Sequence, residues 1–104
     1  CNNTIKTTSA TGSGIFMSVV DPSGDARFVI SNNFVSGVTS DGINSRNANT
    51  DHCVAIGNFV ENCSARGFRL DHANGMFANN TSLSCPTADI LTASGGVSVN
   101  NQDL

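Results

Sequence analysis

Four asparagines, Asn33, Asn58, Asn80 and Asn101, recur at intervals of 25, 22 and 21 residues in similar surroundings, and this repetition restricts the fold more than any other feature of the chain. Four places before them stand Val29, Val54, Met76 and Val97, and five places after the first three stand Val38, Cys63 and Cys85. Ten places after them come Ile43, Phe68 and Ile90; Gly42, Gly67 and Asp89 precede that column by one, and Ser45, Leu70 and Thr92 follow it by two. A looser copy upstream carries Asn3 and Ile15, two residues further apart than in the later copies, which brings the total to about four and a half.

Inside each copy, apolar residues alternate with polar ones over short runs such as Val54/Ile56, Phe68/Leu70 and Val97/Val99, the period of a strand with one buried face. No window sustains helical spacing. A unit of about 22 residues, made of three short strands and their turns and stacked on like units, pairs in parallel with each neighbour at about 4.8 Å. The expected fold class is therefore all-β, a solenoid of about four and a half coils. The chain reads as a single domain over 1–104, with an irregular first coil and its insertion in 1–26 and regular coils in 27–104, and as a fragment of a longer array.

Stacking explains the columns. A residue that lies on its own kind in the next coil meets the same environment, so aliphatic positions stay aliphatic and small ones stay small. Asparagine at a turn can pass hydrogen bonds from its amide to the asparagine above and below, and it tolerates the left-handed backbone of a tight bend. The glycines before the Ile/Phe column are expected to supply a second bend.

With 12% charged residues and a net charge of −3, the five Lys and Arg form no basic patch that could release counterions from nucleic acid. The apolar runs are far shorter than the roughly 20 residues that cross a bilayer as a helix. Nucleic acid and membrane are thus not expected partners. Cys1, Cys53, Cys63 and Cys85 match no zinc or redox spacing, and free buried thiols are expected ahead of bridges.

The pattern of alternating apolar residues before Asn-Phe-Val, followed by Gly-Ile or Gly-Phe-x-Leu, resembles the right-handed single-stranded parallel β-helix of the pectate-lyase-like superfamily, which includes polysaccharide lyases, polygalacturonases, uronan epimerases and phage tailspike depolymerases. The resemblance covers 27–104 well and 1–26 loosely. It implies a carbohydrate-active protein, a polysaccharide as partner, and a place outside the cell or on a virion surface, with a homotrimer if it is a spike. "SDGI" at 40–43 is similar to the "NTDG" motif of polygalacturonases and "DHCVAI" at 51–56 to their "DDCVAI", which makes Asp41 and Asp51 candidate acid and base residues; His52 stands where the second aspartate would be.

If Ile43, Ser45, Phe68, Leu70, Ile90 and Thr92 point inward, then Asn44, Arg69 and Leu91, and next to them Arg46, Asp71 and Ala93, point outward. On this face Arg46, Arg69, Asn44 and His52 are candidate substrate-binding residues, the arginines gripping carboxylates or hydroxyls. Asp71 and His72, like Asp41 and Asp51, are candidate catalytic residues, a carboxylate beside an imidazole being a usable general base. The alternative for Arg46 and Asp71 is a surface ion pair, and for Asp41 a turn-forming aspartate. No cofactor is implied, with calcium on Asp41, Asp51 or Asp71 an open alternative that lacks a recognisable loop. A lyase or glycoside hydrolase stands against a non-catalytic solenoid such as a fibre shaft or adhesin stalk. Ice binding is excluded by the absence of regular Thr-x-Thr columns.

Overall fold

The computed structural model describes residues 1–6, 12–17, 27–46, 52–72, 75–92 and 97–104. These carry the strands β1 (Thr4–Lys6), β2 (Ile15–Met17), β3 (Arg27–Ser31), β4 (Phe34–Ser36), β5 (Ile43–Arg46), β6 (His52–Ile56), β7 (Phe59–Glu61), β8 (Arg66–His72), β9 (Met76–Ala78), β10 (Thr81–Leu83), β11 (Thr87–Thr92), β12 (Val97–Val99) and β13 (Gln102–Asp103). The described residues include no helix, and so none that could cross a membrane.

The chain visits three sheets in rotation. The first sheet holds β1, β4, β7, β10 and β13, the second β2, β5, β8 and β11, and the third β3, β6, β9 and β12. Each strand pairs in parallel with the strand three places on, as β4 does with β7 and β5 with β8. The fold is all-β with parallel strands in three stacked sheets, an arrangement consistent with the solenoid expected from the repeat.

The asparagine column is a continuous ladder. Backbone N and Nδ2 of Asn33 both donate to Oδ1 of Asn58, at 3.1 and 2.9 Å. Asn58 repeats the pair of bonds to Asn80, and Asn80 to Asn101. The second amide hydrogen of each ties in a backbone carbonyl: Asn58 Nδ2 donates to Ile30 O at 2.9 Å and Asn80 Nδ2 to Ala55 O at 2.8 Å. Amides this deeply buried must be fully bonded, and the ladder satisfies them.

The left-handed backbone falls one residue earlier than expected. Asn2, Asn32, Gly57, Asn79 and Asn100, each just before a ladder asparagine, have φ of 56°, 53°, 66°, 53° and 51°. A second left-handed corner follows at Gly37, Asn62 and Ser84. The corner residue turns the chain and leaves the ladder residue free to aim inward, so the two tasks fall to neighbours.

Gly14, Gly42 and Gly67 serve a purpose other than a bend. A Cβ at Gly42 would lie 2.1 Å from Val60 Cγ1 and 2.7 Å from the Gly67 carbonyl oxygen, and one at Gly67 2.1 Å from Ser82 Oγ. The start of the second sheet passes so close to inward side chains of the first sheet that no side chain fits.

In the third sheet the expected alternation is reversed. Ile30, Cys53, Ala55 and Phe77 are buried, while Val29 (61% exposed), Met76 (45%) and Val97 (49%) face outward in the column that contains Val54. The left-handed residue between strand and ladder resets the parity, so counting back from Asn58 by twos lands on the wrong face.

Burial pushes the Cys53 thiol up to about 11, a hydrogen bond from Ser45 pulling modestly the other way. The folded form thus holds its proton longer than the unfolded form. The contribution of Cys53 to stability should be flat below about pH 9 and then fall by roughly 1.4 kcal/mol per pH unit toward pH 11, as the unfolded thiol ionises first, with a parallel loss from the likewise raised Cys63. Urea unfolding at pH 8 and pH 10.5 checks this: Cys53→Ala should remove a large part of the alkaline loss, and an unchanged pH dependence would contradict the assignment.

Candidate functional site

Second-sheet strands bring the candidate residues into register. Asn44 of β5 lies opposite Arg69 of β8, and Arg46 opposite Asp71, so the polar columns expected from the repeat do run across adjacent strands. From β8 to β11 the register departs from the expected one. Thr87 pairs with Arg66, but after an irregularity Asp89 pairs with Arg69, Ile90 with Leu70 and Leu91 with Asp71.

Ile90 is therefore two places from its expected partner Phe68, and the acidic Asp89 rather than Leu91 continues the Asn44–Arg69 column. The strand that slips is the one with no glycine at the position of Gly42 and Gly67, where a Cβ could not approach the first sheet. That missing glycine was the signal in the sequence.

Asp41 sits at the bend before β5 and is 4% exposed. Its Oδ2 accepts from Asn44 Nδ2 at 2.7 Å, and its Oδ1 lies 3.6 Å from Arg66 Nη1, so both carboxylate oxygens are engaged. Asp41 and Arg66, each eight places after a ladder asparagine, pair across successive strands at the entry to the second sheet. Arg66 keeps about a third of its side chain exposed, at 34%. Asn44 is only 5% exposed, so the outer face is closed at its position, and its Oδ1 finds no protein partner among the described residues.

Arg69 is half-buried. Asp71 and His72 end β8 in the second sheet, and His52 opens β6 in the third, opposite Arg27 of β3. Asp51 and Ala93 lie outside the described residues.

Among the described residues no group of three or more His, Cys, Asp or Glu could hold a metal ion, and no pocket is enclosed. The class defined by fold and site is thus an all-β chain of parallel strands with a charged column on one sheet. Compared with protein-family models, curated proteins and solved structures, the chain matches none.

Proposed function

We propose that the chain is a section of a right-handed parallel β-helix of the pectate-lyase-like kind, whose second sheet binds a polysaccharide on its outer side and cleaves it as a lyase or glycoside hydrolase. The observation that carries this reading is the register of Arg46 with Asp71 and of Asn44, Arg69 and Asp89, which brings charges of both signs to neighbouring positions on one sheet.

Roles follow from the surroundings. Asp41, with both oxygens engaged and almost no exposure, positions Asn44 and Arg66. Asp71 and His72, at the end of β8, are the proposed proton-transfer groups, and Arg46 and Arg69 the proposed clamps on uronate or hydroxyl oxygens. In a lyase reaction the base removes the proton next to the uronate carboxylate, the arginines neutralise the charge that develops, and the glycosidic oxygen leaves as the double bond forms. In a hydrolase a second carboxyl at about 5–10 Å would be needed, with Asp89 the candidate by register and Asp51 that of the other Asp-His pair. The protein would act outside the cell or on a virion surface.

A panel of acidic and neutral polysaccharides tests the proposal. Ultraviolet-absorbing unsaturated ends indicate a lyase, new reducing ends without that absorbance a hydrolase, and retention without cleavage a binding module. Asp71→Ala should slow cleavage by about 100-fold or more at unchanged circular dichroism. Equal activity in parent and variant would overturn the site.

A structural shaft is the second reading, favoured by the exposed apolar column Val29, Met76 and Val97 on the third sheet. It would hold if no polysaccharide is retained and the chain is found as a trimer or other oligomer through that face.

A further inference from the structure

Cys63 and Cys85 occupy equivalent corners of successive strands. Each follows a left-handed residue, Asn62 or Ser84, and each aims its thiol at the carbonyl two residues back, Glu61 O at 3.8 Å and Leu83 O at 3.6 Å. The Cys63 backbone N–H donates to Cys85 Sγ at 3.2 Å, which places the second sulfur against the first residue. Parallel neighbours stacked in this way have Cα atoms about 4.8 Å apart, within the span a disulfide bridges.

We propose that Cys63 and Cys85 form a dithiol site that reacts with small-molecule disulfides, closing to a bridge between the third and fourth circuits of the chain. All four cysteines are free thiols in this structure, so the bridge is a second covalent state of the same fold.

The order of events follows from exposure. Cys63 is buried, at 5% exposed, whereas Cys85 is half-buried and within reach of a reagent. The Cys85 thiolate attacks the reagent, whose S–S bond breaks, expelling one thiolate and leaving the other half on Cys85. Cys63 then gives its proton to solvent and attacks the Cys85 sulfur, expelling the second thiolate. Two protein thiols and one reagent disulfide become one protein disulfide and two small thiols; the protein loses two electrons and the reagent gains them.

Burial, reinforced by the neighbouring Cys85 and by the Asp41 carboxylate, pushes the Cys63 thiol well up. Closure is therefore the slower step and should accelerate with rising pH. Gly42 contributes as well, since a Cβ there would come within 3.0 Å of Cys63 Sγ and disturb its position.

The test incubates the native chain, carrying Cys1→Ser to silence the exposed thiol, with glutathione disulfide, and maps the product by peptide mass spectrometry. The expected product is two hydrogens lighter, is joined between Cys63 and Cys85, and unfolds at a midpoint raised by at least about 5 °C. Cys53→Ser should leave the bridge intact, and Cys63→Ser should stop the reaction at a glutathione adduct on Cys85. A native chain that accumulates that adduct without closing, that pairs Cys53 instead, or that unfolds at a lower temperature once bridged would overturn the proposal.

Discussion

Asn58→Ala is expected to reduce stability by about 3–5 kcal/mol, measured as the change in unfolding free energy by urea or heat. The side chain accepts from the backbone N and Nδ2 of Asn33 and donates to Ile30 O and Asn80 Oδ1, and it is 1% exposed. Alanine would leave the Asn33 backbone N–H and an Asn33 amide hydrogen buried without partners, and would take one of its bonds from the Ile30 carbonyl. Each orphaned group costs about 1–3 kcal/mol, so the sum exceeds the loss of any one bond. Asn101→Ala is the control. Asn101 makes similar bonds, to Asn80, Phe77 and Ser98, but stands partly open to water that can replace them, so its loss should be about 1 kcal/mol. Equal losses at the two positions would mean that burial does not set the strength of the ladder.

Phe68→Ala should cost about 3–5 kcal/mol as well, for a different reason. Phe68 is fully buried, stacked on Ile43 in the second sheet and packed with Leu70, Val60 and Phe77 in one cluster. Its removal leaves a cavity that the paired strands on either side cannot collapse to fill. Phe59→Ala provides the comparison. The Phe59 ring stacks on Phe34 outside the core, with centroids 5.7 Å apart and an interplanar angle of 8°, and Lys6 Nζ lies 5.5 Å from the Phe34 ring. That half-exposed column should be worth about 1 kcal/mol. A Phe59 loss as large as that of Phe68 would show that the outer stack, rather than the interior, fixes the first sheet.

How far the residues could be read differs from column to column. The ladder was legible because an asparagine amide is satisfied only by another like it one circuit away, which forces the residue to recur. The glycines were recognised, but for a bend rather than for the close passage of two sheets, which only coordinates reveal. Asn44 was expected on an open face, and its near-complete burial beside Asp41 depends on what covers that strand.

From the sequence alone came the length of the repeat, the parallel stacking of like on like and the identity of the strands that meet, because in-register stacking writes each contact into the chain as a spacing. Tertiary structure decided which face of the third sheet is buried and how β11 aligns with β8. Both depend on the left-handed corners and on the space available inside, where a single Cβ too many shifts a strand, and the columns record that volume only as the glycine that β11 lacks.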